Sequence, residues 1–263
     1  MLPVEVRQLD ELEEFGITKI VAAIGVFDGI HLGHRKIINE LIKMSEKLSA
    51  DPILVTFFPH PRKILNPEKP LLFLRSPAKK RKILGELGIK AIVTVPFSLE
   101  FAKLPANDFI EKFMHPHNVK LAGICVGKRW KFGAKAQGNE QTLHDYANKC
   151  GFKFKAIEEV CWKGKKVSST TIRKALSKGN FKSANYMLDR KYVISGHVIS
   201  QENNHVMFQI DFGVLPPKGK YKAYINYDRR SLMQLSVVSK SEITTECNIQ
   251  LPLNHEVSIE FTE

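Results

Sequence analysis

The chain has 263 residues, 43% hydrophobic and 25% charged, with 40 Lys and Arg against 27 Asp and Glu and a net charge of +13. That length accommodates two domains, and the composition excludes a disordered or fibrous protein. No apolar run approaches the ~18–20 residues that span a bilayer, so no membrane partner is expected.

The first residues, Met1-Leu-Pro-Val-Glu-Val-Arg7, lack the basic-then-apolar order of a secretory signal. Cys125, Cys150, Cys161 and Cys247 are too scattered for a zinc site or a disulfide framework. A cytoplasmic protein with reduced thiols is the expectation. The basic excess is local: residues 191–263 hold 7 Lys and Arg against 8 Asp and Glu, while the first 190 hold 33 against 19. A basic domain suits an anionic partner, whether nucleic acid, membrane surface or polyphosphate.

In chain order, Ile20 to Phe27 is a short apolar run that reads as a buried strand ending at the turn Asp28-Gly29. Ile37, Ile38, Leu41, Ile42, Ser45 and Leu48 then recur at helical spacing. Pro52 to Phe57 is a second strand, followed by a proline-rich loop. Ser76-Pro77 opens a helix that stops near Gly88. Ala91 to Val95 and Leu121 to Val126 are further strands, with a helix from about Ala106 to His115 between them. A helix over Glu140 to Cys150 leads to a strand over Phe152 to Ile157. This alternation predicts an α/β fold with a Rossmann-like parallel sheet, whose ligands bind beyond the carboxyl ends of the strands.

From Tyr192 onward the pattern changes to short β-type runs, 192–199, 206–212, 221–227, 232–238, 243–249 and 257–261, separated by turn-formers such as Asn203-Asn204 and Pro216-Pro217. They predict a small antiparallel barrel or sandwich. The expected domains are residues 1–188 and 189–263.

Two motifs carry chemistry. His31-Leu-Gly-His34 follows the first strand and opens the first helix, whose N-terminal N–H groups favour a phosphate. Gly33 permits close approach of a ligand, and two imidazoles can donate to charge developing in phosphoryl or nucleotidyl transfer. Alternatively, the pair is a cap neighbour and a surface histidine. A metal site is the weaker rival, because no His-Glu-x-x-His or nearby cysteine accompanies the pair. The second motif, Val167-Ser-Ser-Thr-Thr-Ile-Arg173, puts hydroxyls at a helix start. They can cap it, or form with Arg173 a second anion pocket.

Together the two motifs resemble the paired signature of the HIGH-type nucleotidyltransferase superfamily. Ala23 to His34, Val55-Thr-Phe-Phe-Pro-His-Pro-Arg62, Pro96 to Ala102 with Phe109, and Val126-Gly-Lys-Arg-Trp-Lys-Phe-Gly133 narrow this. They resemble, in order, the motifs of bacterial FAD synthetases, the bifunctional riboflavin kinase/FMN adenylyltransferases.

The resemblance implies that His31, His34 and Arg173 act on the ATP phosphates. It places Gly25, Phe27, Asp28, Gly29, Gly33, Ser168, Ser169 and Thr170 at the nucleotide. It places His60, Pro61, Gly127, Arg129, Phe132 and Gly133 near flavin or nucleotide. The implied reaction transfers AMP from ATP to FMN, with Mg²⁺ on phosphate oxygens and no dedicated protein ligands to the metal.

Two departures stand out. Arg129 and Trp130 occupy positions where the family usually has Asp or Asn and then Phe, which exchanges an acceptor for a cationic donor. Arg190-Lys-Tyr-Val-Ile-Ser-Gly-His-Val198 resembles the start of the family's riboflavin-kinase barrel, yet no Pro-Thr-x-Asn kinase signature follows between Ser200 and Pro217. The expectation is an FMN adenylyltransferase with a degenerate barrel and no kinase activity. Two other readings stay open: transfer to another phosphorylated acceptor, or a catalytically silent protein that binds nucleotide, flavin or RNA. Nucleic acid is the less expected partner, since lysine runs such as Lys79-Lys80-Arg81-Lys82 suit a solvated helix face.

Overall fold

In the computed structural model, residues 1–114, 118–202, 204–239, 241–246 and 250–262 are described. The first strands and helices are β1 (Val4–Val6), β2 (Lys19–Ile24), α1 (Leu32–Leu48), β3 (Asp51–Phe58), α2 (Pro61–Leu65), α3 (Pro77–Glu86) and β4 (Ala91–Pro96). Next come α4 (Ala106–Met114), β5 (Lys120–Gly127), α5 (Glu140–Cys150), β6 (Lys153–Ile157), β7 (Cys161–Trp162) and β8 (Lys165–Lys166). The chain then forms α6 (Ser169–Leu176), α7 (Phe181–Leu188), β9 (Val193–Glu202), β10 (His205–Phe212), β11 (Gly219–Tyr227), β12 (Arg230–Val238), β13 (Glu242–Glu246) and β14 (Glu256–Phe261).

Packing divides the chain into two compact units. One comprises Met1–Phe27, Gly33–Leu71 and Arg81–Val160; the other comprises Asp28–Leu32, Leu72–Lys80 and Cys161–Glu263.

The first unit holds a parallel sheet in the order β1-β4-β3-β2-β5-β6. Its central strands are near-continuous buried runs because helices cover both faces of a parallel sheet. Ile20, Ile24 and Ile53 lie in this core, each contributing roughly 1.5–3 kcal/mol by burial. On α1 the helical spacing buries Ile38, Leu41 and Ser45. Strand order reverses between β2 and β5, and the crevice at that switch point is where such sheets take ligands.

The short edge strand β1 was not foreseen. Among the described residues its three residues pair with β4, through a register from Val4↔Ala91 to Val6↔Val93. β2 ends at Ile24, before the end of the apolar run, and Phe27 at the end of that run adopts a left-handed φ of 52° that no strand accommodates. Of the expected helix 106–115, residues to Met114 are observed, and His115 lies outside the described residues, as do Cys247 and the end of the expected strand 243–249.

The second unit contains a closed antiparallel barrel, in the order β10-β13-β12-β11-β14-β9, which settles the choice between barrel and sandwich. Closure leaves no unpaired strand edge. Alternation sends Ile194, Val198, Phe208, Ile225 and Ile259 to the buried interior. Bulges in the β9–β10 ladder, at Met207/Phe208 and Ile210/Phe212, bend the wall. α6 and α7 pack against each other in the same unit.

Candidate active site

In the first unit a cleft of about 550 Å³ opens at the carboxyl ends of β2, β3, β4 and β5. Gly25 and Val26 follow β2, and Pro61 opens α2. Aromatic side chains supply the rest of its character. Trp130 and Phe132 stack at 4.8 Å between centroids with planes 17° apart. Phe109 meets Phe132 at 5.4 Å, and Phe101 meets Phe57 and Phe97 at 5.9 and 5.4 Å. Lys131 and Lys135 also line it. Ring faces with two cations suit a planar, anionic molecule. Gly133 is required there: its φ is +71°, and a Cβ would lie 2.7 Å from the backbone of Ala106.

Of the flavin-side residues expected from the sequence, Pro61, Phe132 and Gly133 line this cleft, as does Gly25 from the nucleotide set. His60 is buried and caps α2, its Nδ1 accepting the Arg62 N–H at 3.0 Å, which leaves the ring proton on Nε2. Gly127 ends β5. Arg129 has a side chain 77% exposed and ion-paired with Glu159 at 3.6 Å. His34 lies in the first turn of α1, as Gly33 does, with its ring 5.0 Å from that of Phe27.

The second unit holds the remaining expected residues. Asp28 is buried and accepts the Leu74 N–H at 3.1 Å. It also forms a close ion pair with Arg173, whose Nε donates to the Leu72 carbonyl at 2.7 Å. Burial raises the Asp28 carboxyl above its usual range, outweighing the opposing pull of Arg173 and the Leu74 N–H. Gly29 has φ +81° and no room for a Cβ, which would meet Leu74 at 2.7 Å.

Beyond Gly29, Ile30 takes a left-handed φ of 43°, and His31 is buried next to it. The His31 imidazole is held down to about 4, first by burial and then by the charge of Arg190, with Lys166 and Arg173 adding to it. It is therefore neutral at pH 7.

At the start of α6 the hydroxyls divide their work. Ser168 is the N-cap, accepting the Thr171 N–H at 3.1 Å. Ser169 Oγ donates to the Asp28 carbonyl at 2.8 Å, and Thr170 is exposed. Capping and loop-holding thus engage two hydroxyls that the sequence offered equally as phosphate donors. The Asp28–Arg173 pair joins the two motifs, and neither motif alone signals it. Arg190, which donates to the carbonyls of Gly29 and Ile30, was read from the sequence only as part of the barrel's start.

A doubly wound parallel sheet with an aromatic cleft at its switch point defines an α/β ligand-binding class. A family model described as FAD synthetase matches residues 16–171. A relative from Buchnera aphidicola subsp. Acyrthosiphon pisum, described as a bifunctional riboflavin kinase/FMN adenylyltransferase, is 32% identical over 194 residues, 74% of this chain and 61% of its own length. A Bacillus subtilis protein of the same description is 33% identical over 183 residues, 69% of this chain and 57% of its own. The chain spans about three-fifths of the length of these curated relatives.

A solved structure described as a macrolide-efflux protein from Streptococcus pneumoniae covers 99% of this chain and 89% of its own. Its TM-score is 0.83 at 20% identity, a likeness of fold. The chain belongs to the FAD synthetase family.

Proposed function

We propose that this protein is an FMN adenylyltransferase, which transfers AMP from ATP to FMN. The observation that carries the reading is the aromatic cleft at the ends of β2–β5 in a chain of this family, with Lys131 and Lys135 beside the stacked Trp130 and Phe132. An isoalloxazine ring matches the stacking faces, and its phosphate matches the lysines.

In the reaction an FMN phosphate oxygen attacks the α-phosphorus of ATP. The new O–P bond replaces the bond to pyrophosphate, which leaves. Such a transfer needs positioning and charge more than covalent help. His31, neutral, and His34 donate N–H bonds to phosphate oxygens, and the Thr170 hydroxyl and the N-terminal N–H groups of α6 orient them. Arg173 supplies positive charge, the Gly25–Gly29 loop lies against the nucleotide, and Gly33 lets it approach the backbone. ATP enters as its magnesium complex.

We place the boundary between the transferase domain and the barrel at residue 188. The barrel, without Pro-Thr-x-Asn, performs no riboflavin phosphorylation. Product analysis tests both statements. FMN with Mg-ATP gives FAD and pyrophosphate in equal amounts, and riboflavin with Mg-ATP gives no FMN over many turnovers. Absence of FAD overturns the first statement, and catalytic formation of FMN the second.

A further inference from the structure

We propose that Arg190 is a positioning residue for nucleotidyl transfer: its guanidinium forks onto the carbonyls of Gly29 and Ile30 and so fixes the turn that presents His31. The inference rests on the reading of His31 as a phosphate-facing group.

The turn is one that the chain does not adopt unaided. Gly29 and Ile30 both have positive φ, +81° and +43°. Gly29 does this without steric cost, but Ile30 is β-branched, and such a residue is an outlier there. Conformations of this kind persist only where the surroundings over-determine them.

The hydrogen bonds within the unit supply that determination. Ser169 holds the Asp28 carbonyl at 2.8 Å, and Leu74 and Arg173 hold its carboxylate. Arg190 reaches the next two carbonyls: Nη1 donates to Ile30 O at 3.1 Å and Nη2 to Gly29 O. Nη1 also donates to Leu188 O at 3.1 Å, so the same group ties the turn to the end of α7. Only a planar guanidinium makes this fork; an ammonium does not reproduce it.

Arg190 also carries the largest of the charges acting on His31. The other cations acting on the imidazole are Lys166 of β8 and Arg173 of α6. With burial, they keep the ring neutral.

The test uses the full-length protein and the variants Arg190→Lys and Arg190→Gln. The His31 imidazole is titrated by heteronuclear NMR without ligand, its signal assigned by its loss in His31→Gln. Initial rates of FAD formation are measured alongside. Arg190→Gln is expected to raise the His31 titration midpoint above that of the wild type. It is also expected to lower kcat on the order of 10²-fold while the FMN KM stays within about two-fold. Arg190→Lys keeps the charge and loses the fork. Its midpoint should stay nearer the wild type, yet it should recover less than about a tenth of the wild-type kcat.

An unchanged midpoint in Arg190→Gln, or wild-type kcat in Arg190→Lys, overturns the proposal. If Arg190→Gln does not fold, the kcat of Arg190→Lys decides alone. If the wild type makes no FAD, the functional reading fails, and the NMR titration still decides whether Arg190 acts on His31.

Discussion

In the first unit Trp130, Phe132 and Phe109 offer ring faces at the end of a parallel sheet, and charge enters only through lysines. In the second unit the Asp28–Leu32 loop is built from buried charge: Asp28 paired with Arg173, the Arg190 fork, and a neutral His31. Stacking is tolerant, worth about 0.5–1.5 kcal/mol per ring pair beyond area. A buried ion pair is intolerant, because removing one partner strands the other in a medium that solvates it poorly. The cleft should therefore bend under substitution, and the loop should break.

The largest effect is expected at Arg173. Arg173→Ala leaves the Asp28 carboxylate buried without its cation and should cost about 3–5 kcal/mol of stability, measured by urea unfolding at pH 7.5. The sign with pH is distinctive. The Asp28 carboxyl is already raised by burial in the folded state, and loss of Arg173 raises it further. A group raised on folding contributes stability at low pH that is lost as pH rises through its folded value. The deficit of Arg173→Ala should thus shrink as pH falls, and adding Asp28→Asn should recover part of it at pH 7.5. A deficit independent of pH would remove Asp28 from the account.

His31 comes next and has the opposite sign. Its imidazole is lowered on folding from 6.5 to about 4, so the stability it contributes is present above 6.5 and lost as pH falls through 4. The size is about 3 kcal/mol at 1.36 kcal/mol per pH unit. Relative to His31→Gln, the wild type should lose this amount between pH 6.5 and 4. In catalysis, His31→Ala should lower kcat by about 10²–10³-fold, with much smaller changes in KM, if it donates to transition-state charge. Equal losses in kcat and nucleotide affinity would make it a binding residue.

The difference between the regions also explains what the sequence made legible. The strands and helices of the parallel sheet were readable because burial on both faces writes continuous apolar runs, as in β2 and β3. Period-two alternation likewise exposed the barrel strands. α5 matches its expected limits because Asn139 caps it and Gly151 ends it. α7 went unread, although Asn180, its cap, and the helical spacing of Phe181, Ala184 and Leu188 are local signals of it.

The motifs around His31 and Ser169 were visible, but the Asp28–Arg173 pair joins residues 145 apart, and no local pattern records it. Arg190 was hidden differently, as the first residue of a motif that was read only as the start of the barrel. The aromatic cleft was half legible. Its rings lie in motifs that were noticed, yet their convergence follows from strand order, which is a property of topology.

Trp130→Ala tests the tolerant region. The stacked pair with Phe132 supports a rise of about 3–10-fold in the FMN KM, with kcat little changed. Trp130→Phe should keep most of the affinity, because a ring face remains. A fall in kcat with unchanged KM would show that the ring positions the reacting phosphate and does more than hold the flavin.

The smallest effect is expected at Arg129, although the sequence made it the most conspicuous departure from the family. Its side chain is 77% exposed, and its partner Glu159 lies 3.6 Å away. Exposed ion pairs contribute about 0–1 kcal/mol. The cationic substitution therefore costs the cleft little: Trp130 and Lys131, not Arg129, are among the residues that line it. Arg129→Ala and Arg129→Asp should each change the FMN KM by less than about five-fold. A larger change, or a switch of preferred acceptor in Arg129→Asp, would mean that the charged rim selects the substrate and that the aromatic faces only accommodate it.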